Sequence, residues 1–319
     1  MAMANVAAAI RFEGVSKRYG GLAALDAVDL EVEPGEIFAL LGPNGAGKTT
    51  AIGCASGLIQ DFEGRIEVGG YDVRKDYRVT RRLVGLVPQE LNFDGFFCAR
   101  DALFFQSGYF GVRPDRAKIE AMLRKFALYE KADTNTRRLS GGMKRRLMVC
   151  KALMHDPAVL FLDEPTAGVD VELREDLWKV VRGLRDEGVT IVLTTHYLEE
   201  AEQLADRIGV IDGGKILRVQ PREELMQELG KRWVELSFSV EVEASVFASL
   251  QADRVEQVSG RVLRIEYDPG GGMSEEEHAI GAILDFARSR GLVVVDIRAG
   301  RSSLEDIFKG LLARKGGAA

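Results

Sequence analysis

The segment Ile37-Phe38-Ala39-Leu40-Leu41-Gly42-Pro43-Asn44-Gly45-Ala46-Gly47-Lys48-Thr49-Thr50 sets an apolar run directly before a glycine-rich turn that opens a helix. Gly42 to Thr49 reads G-x-x-x-x-G-K-T after an expected strand, the context in which this pattern forms a phosphate-binding loop. Glycines let backbone N–H groups surround phosphate oxygens, and the helix start adds positive partial charge. Lys48 is placed for β- and γ-phosphates and Thr49 for a magnesium ion, so the expected ligand is a nucleoside triphosphate with Mg2+.

Outward from that loop, Ile10 to Glu36 reads as extended segments broken by a Gly20–Gly21 turn. The runs Ala158 to Leu162 and Thr190 to Thr194 are short, apolar and bounded by polar residues, as in central strands of a parallel sheet covered on both faces. Ligand groups then sit at their carboxyl ends. In Val159-Leu160-Phe161-Leu162-Asp163-Glu164 the strand delivers Asp163 to such an end, where its charge can hold magnesium. Glu164 beside it is a candidate base for an attacking water. Alone, such a pair could be only a strand terminus and a helix cap; the phosphate loop upstream selects the chemical reading. Residues 91 to 151 carry few strand signals and are expected to form an inserted helical subdomain.

Beyond about residue 230 the texture changes. Trp233–Val240 reads as a strand, Ala244–Leu250 as a short helix, and Arg254–Ser259 with Val262–Tyr267 as paired strands around a glycine turn. Ser274–Arg290 reads as a helix, Val293–Ile297 as a strand and Ser303–Arg314 as a closing helix. That order fits a small ferredoxin-like α+β domain. The expected division is 1–230 for the nucleotide-binding part and 231–319 for an accessory domain.

A chain of 319 residues, 46% hydrophobic and 29% charged, can bury a full core, and a net charge of −6 offers no overall attraction to nucleic acid. Cys54, Cys98 and Cys150 are far apart and contain no C-x-x-C pair, so neither a disulfide framework nor a zinc site is indicated. No stretch reaches the roughly 18 to 20 apolar residues that cross a bilayer, and the opening MAMANVAAAI lacks the marks of a secretory signal. The expected location is cytoplasmic, with any channel supplied by other polypeptides.

A phosphate loop alone permits a kinase, GTPase, helicase or motor. Leu139-Ser140-Gly141-Gly142-Met143, placed before the strand carrying Asp163, discriminates. Here the sequence resembles the ABC ATPase family, whose signature is LSGGQ, and the resemblance runs over residues 10 to 220 with the motifs in order. Ser140, Gly141 and Gly142 begin a helix and so form a second anion site. The resemblance implies that this site meets the γ-phosphate held by another subunit, so that two chains sandwich two nucleotides. It also implies that Gln89 in Val-Pro-Gln-Glu contacts magnesium and that His196 in Thr-Thr-His-Tyr touches the γ-phosphate. Asp170 would couple the two sites, and Tyr19 would stack on adenine. Met143 departs from the usual glutamine; backbone N–H groups supply the anion contacts, so activity is expected to survive. The basic cluster Arg137, Arg138, Lys144, Arg145 and Arg146 reads as a solvated helix face, because no aromatic residues interleave with it to stack nucleic-acid bases.

Phe93, Phe96, Phe97, Phe104, Phe105, Tyr109 and Phe110 crowd one stretch just after the glutamine loop, where the resemblance implies a docking groove for a membrane subunit. The stretch Leu193–Glu202 and the closing Ser303–Phe308 resemble ATPase subunits of ABC-2-type exporters, which pair with a separate six-helix permease. The expected partners are thus a second ATPase subunit and that permease. Rival readings are an importer ATPase with a regulatory C-terminal domain, or an ABC ATPase acting on ribosomes or DNA. Translation-type members usually carry two cassettes and DNA-repair types long coiled-coil arms, and this chain shows one cassette and no sustained heptads.

Overall fold

Ile10, Phe12 and Val15 are buried while the polar residues between them face outward. This alternation, stepped by an irregularity between Phe12 and Val15, makes β1 (Ile10–Tyr19) one half of an antiparallel pair with β2 (Leu22–Val32), turned at Gly20–Gly21 as the sequence predicts. The computed structural model describes residues 8–90, 92–167, 171–229, 232–247, 249–250, 252, 254–267 and 276–301. The chain forms two compact units, residues 1–222 and 223–319.

In the first unit β3 (Ile37–Leu41) leads into α1 (Lys48–Ala55), followed by β4 (Glu63–Val68), β5 (Tyr71–Asp72), α2 (Tyr77–Leu83) and β6 (Val84–Val87). Three helices come next: α3 (Ala99–Tyr109), α4 (Arg116–Lys125) and α5 (Gly141–Leu153). They pack on one another around the buried Leu103, Leu123 and Leu147. The unit then runs through β7 (Val159–Asp163), α6 (Val171–Asp186), β8 (Thr190–Thr195), α7 (Leu198–Leu204), β9 (Arg207–Asp212) and β10 (Lys215–Pro221). One sheet has the order β2-β1-β4-β5 and the other β10-β9-β3-β8-β7-β6.

Every residue of β3, β7 and β8 is buried, as a parallel strand covered on both faces requires. Each large aliphatic or aromatic side chain so withdrawn from water contributes about 1.5 to 3 kcal/mol, which is what holds the strands in register. That register decides the site. Leu41 lies opposite Thr195, Asp163 opposite Thr194, and Leu162 opposite Val87. The chain therefore leaves the sheet at one edge four times: into the glycine turn, into Glu164, into His196 and into Gln89.

After α8 (Arg222–Leu229), the second unit contains β11 (Arg232–Phe238), β12 (Arg254–Ser259), β13 (Val262–Tyr267), α9 (Glu276–Ser289) and β14 (Val294–Arg301). The strands pair antiparallel in the order β12-β13-β11-β14, the arrangement of a ferredoxin-like sheet. Val234, Leu236 and Phe238 alternate inward on β11 and Leu263, Ile265 and Tyr267 on β13, meeting Ile283 and Ala287 of α9. The expected helix Ala244–Leu250 is instead a 3-10 turn over Ala244–Phe247. Phe247 is its anchor, with ring centroids 5.9 Å from Phe238 and 5.3 Å from Phe286. The tighter turn delivers that ring to the core without spending a full α-helix. The expected closing helix Ser303–Arg314 and the segment 268–275 lie outside the described residues.

Candidate active site

The turn between β3 and α1 is shaped by backbone that only glycine adopts freely. Gly47, the residue before α1, has φ +107°, and a Cβ there would lie 2.3 Å from the Ala24 carbonyl oxygen of β2. No side chain caps α1, so its first N–H groups remain available to a ligand. Gly42 N–H donates to the Thr195 carbonyl (3.3 Å) and Ala46 N–H to the Pro43 carbonyl (3.2 Å), fixing the loop against the end of β8. The Lys48 ammonium is buried and donates to the Gly42 (2.7 Å) and Pro43 (3.1 Å) carbonyls. It also stands 3.4 Å from Glu164 Oε1.

A cleft of about 360 Å³ runs along this loop. Tyr19 and Leu22 form one end, Asn44 to Thr50 its floor, and Gln89 and Glu164 the other end. Tyr19 is half exposed, and the Lys17 ammonium sits 4.9 Å from its ring centroid. Ser140, Gly141 and Gly142 are not among the walls. They start α5, where Ser140 is the N-cap and its hydroxyl accepts from Met143 N–H at 3.3 Å.

At the far end the acidic pair is held tightly. Thr49 Oγ1 donates to Asp163 Oδ1 at 3.3 Å, and the Thr194 hydroxyl donates to the same oxygen. Glu164 N–H donates to the Thr194 carbonyl (3.1 Å) and hydroxyl (3.0 Å). These bonds hold Glu164 at φ +46°, a left-handed backbone costing a non-glycine residue about 1 to 3 kcal/mol. Its buried carboxylate accepts from Gln89 Nε2 at 3.3 Å and lies 3.2 Å from His196 Nδ1, a close approach without the alignment of a hydrogen bond. Thr49 and Asp163 offer only oxygen, the donor set a hard divalent cation takes when phosphate oxygens and water complete its shell. The fold thus gathers Lys48, Thr49, Gln89, Asp163, Glu164 and His196 at one place. Ser140 to Gly142 stand apart, and Asp170 lies outside the described residues.

Two residues here were not singled out as site residues from the sequence. Thr194 appears only as a strand end, although it bonds the Asp163 carboxylate and the main-chain N–H of Glu164. Arg145 belongs to the cluster read as a solvated face, and that reading is corrected for it: Arg145 is buried, donating to the carbonyls of Gln89 (3.2 Å) and Ala167 (3.5 Å). Burial pushes its guanidinium pKa down, and the carboxylate of Glu200 counters that. The legible signal was its place three residues after the buried Gly142 and four before the buried Val149, on the inward stripe of α5.

Of the aromatic cluster, Tyr109 and Phe110 line a separate groove of about 1220 Å³ between α2, α3 and the start of β6, with Tyr77, Arg78, Arg81, Arg82 and His155 opposite. Phe110 stacks on His155 at 3.6 Å. Phe93, Phe96, Phe97, Phe104 and Phe105 lie outside its walls; Phe97 and Phe104 pack on Phe105 at 4.6 and 5.6 Å.

Residues 25–167 match the family described as ABC transporter. The chain is 43% identical over 224 residues to a daunorubicin resistance ATP-binding protein of Streptomyces coeruleorubidus, covering 70% of this chain and 71% of that one. It is 33% identical over 308 residues to a linearmycin resistance ATP-binding protein of Bacillus subtilis, covering 96% and 98%. A Nod factor export ATP-binding protein of Rhizobium etli is 40% identical over 258 residues, covering 80% and 81%. Among solved structures, cbiO1 from Clostridium perfringens, part of the ABC transporter complex cbiONQ, has a TM-score of 0.64 and 26% identity, covering 70% of this chain and 92% of that one. An ATP-binding cassette of an ABC transporter in its ADP conformation has a TM-score of 0.62 and 25% identity, covering 70% and 95%.

Proposed function

The chain belongs to the ABC transporter ATP-binding family, and from that premise we propose that it hydrolyses ATP as one of two paired subunits that drive export through a separate membrane permease. The observation that carries this is the convergence of Lys48, Gln89 and His196 on the Glu164 carboxylate, in a cleft that the Ser140 helix start does not wall. In this reading one chain supplies the loop that grips phosphates and another copy supplies the helix start that covers them.

In the bound state Tyr19 stacks on adenine, N–H groups of the loop and α1 cradle the phosphates, and Lys48 leaves the Gly42 and Pro43 carbonyls for phosphate oxygens. Thr49, Asp163 and Gln89 would hold Mg2+, which neutralises phosphate charge. Glu164, already turned toward Gln89 and His196, orients the attacking water and takes its proton. His196 steadies the γ-phosphate, and Ser140, Gly141 and Gly142 of the second copy close over it. Asp170 links the two sites. Residues 1–222 are the engine and the 223–319 unit an accessory domain.

No helix among the described residues is long and apolar enough to cross a membrane. In this reading a separate permease supplies the channel and this subunit works on the cytoplasmic face of the membrane. The groove bearing Tyr109 and Phe110 suits a permease helix: apolar walls with Arg78, Arg81 and Arg82 at its rim. The relatives that carry drug resistance and Nod factor export in their names support the outward direction.

Glu164→Gln tests the reading. Hydrolysis is expected to fall by about 10²- to 10⁴-fold while ATP binding persists, because only the proton acceptor is lost. ATP should then accumulate a dimer on size-exclusion chromatography. Normal turnover in that variant, or turnover by a strict monomer, overturns it.

A further inference from the structure

Glu200, on α7, is 1% exposed, and neither carboxylate oxygen has an aligned hydrogen-bond donor. Around it lie the hydroxyls of Thr195 and Thr166 and the indole N–H of Trp178. The Thr166 and Trp178 donors are themselves buried and without an aligned acceptor. Each comes from a different part of the site's scaffold. Thr166 is in the turn after Glu164, Thr195 is the residue before His196, and Trp178 sits on α6. Arg145, whose guanidinium feels the Glu200 charge, ties the carbonyls of Gln89 and Ala167. Thr195 Oγ1 accepts from Tyr197 N–H at 2.9 Å, so its placement sets the turn that carries His196.

A carboxylate withdrawn from water costs several kcal/mol unless neighbours compensate, and an apolar residue of similar bulk would fill the same space without that cost. Its presence among donors that border on the Glu164 and His196 turns calls for a task. We propose that Glu200 is a positioning residue that draws the Thr166–Ala167 turn, the Thr195–His196 turn and Arg145 toward one point, and so fixes where His196 and Gln89 stand against Glu164. Half-aligned donors around it suit a junction that tightens when the nucleotide site closes. The inference rests on the ATPase reading above. A wild-type chain that does not hydrolyse ATP defeats that reading before Glu200 is touched.

The experiment uses the full chain and separates kcat from KM for MgATP. Glu200→Leu, similar in bulk and free of acceptors, is expected to lower kcat by about 10- to 100-fold with KM nearly unchanged, the scale of a displaced catalytic group. Glu200→Gln, which keeps an acceptor, should restore kcat to within about 3-fold of wild type. Trp178→Phe removes one donor far from the reacting atoms and should lower kcat by about 3- to 10-fold, with little further loss when combined with Glu200→Leu, as expected of groups acting as a unit. Wild-type kcat in folded Glu200→Leu, or full additivity of the two losses, overturns the proposal. Should Glu200→Leu not fold, Trp178→Phe and Thr166→Val decide: a shared, non-additive fall in kcat supports it, and unchanged kcat in both overturns it.

Discussion

The two units bury different kinds of residue. The described core of the second is apolar throughout: Val234, Leu236, Phe238, Phe247, Leu263 and Ile265, with Tyr267 its most polar member. The first also withdraws Lys48, Arg145, Asp163, Glu164 and Glu200 from water, all near one edge of the parallel sheet. An apolar core answers only to stability. A buried cluster of charge is paid for by the rest of the fold and kept for what it does to a ligand. Substitutions in the first unit's strand ends should therefore move turnover more than stability, and those in the second unit's core the reverse.

The sharpest break comes at Gly47. In Gly47→Ala the new methyl meets the Ala24 carbonyl at a backbone angle alanine avoids, and ATP affinity is expected to fall about 10²-fold or more. Circular dichroism should stay near that of wild type, and retained affinity by calorimetry would count against the placement of the loop. Leu263→Ala probes the other side. It should cost about 2 to 5 kcal/mol in urea unfolding of the second unit, with kcat per folded molecule unaltered. A matching drop in kcat would erase the contrast and give the second unit a direct part in turnover.

A middle-sized effect is expected at the groove. Tyr109→Ala removes a wall residue, and permease recovered by co-purification should fall several-fold, on the order of 1 kcal/mol of docking energy. Phe96→Ala, at an 83% exposed ring outside that wall, should leave recovery unchanged. The reverse outcome would move the docking surface to the exposed aromatic cluster.

The smallest effect concerns Asp72 on β5. Burial pushes its pKa up, but the backbone N–H groups of Lys75 and Arg74 and nearby positive charge outweigh this, leaving it below the ordinary aspartate value. A carboxyl with a lowered folded pKa adds stability at neutral pH, and that stability is lost as pH falls through the folded value. Asp72→Asn should cost about 1 kcal/mol at pH 7 and nothing once the acid is protonated in both states, as seen in paired urea titrations. An unchanged difference at low pH would assign the loss to packing.

Much of this was legible in advance, and the reason is local. Apolar five- and six-residue runs with polar ends are too short for a buried helix and suit buried parallel strands, so β3, β7 and β8 emerged within a residue of where they lie. The element order beyond residue 230 pointed to a ferredoxin-like domain, and the sheet order β12-β13-β11-β14 agrees with it. What stayed hidden depends on contacts between distant segments. Nothing near Thr194 announces that its hydroxyl serves Asp163 and its carbonyl Glu164, because that pairing arises only when β7 and β8 align. Arg145 was concealed by charged neighbours, and Ala244–Phe247 by the composition of a helix too short to pass one turn.

Ala24 is a small residue with an outsized mechanical part. Its carbonyl oxygen fills the space beside Gly47 and also lies 2.9 Å from where a Cβ on Gly214 would be. Two residues on, Asp26 N–H donates to the Gly214 carbonyl (2.9 Å), while Gly214 N–H donates to Ala46 (3.0 Å). The strand leading back to Tyr19 is thus tied through main-chain bonds to the glycine loop. A shift of the main chain at Ala24 would therefore be felt at Gly47 and at Gly214 together.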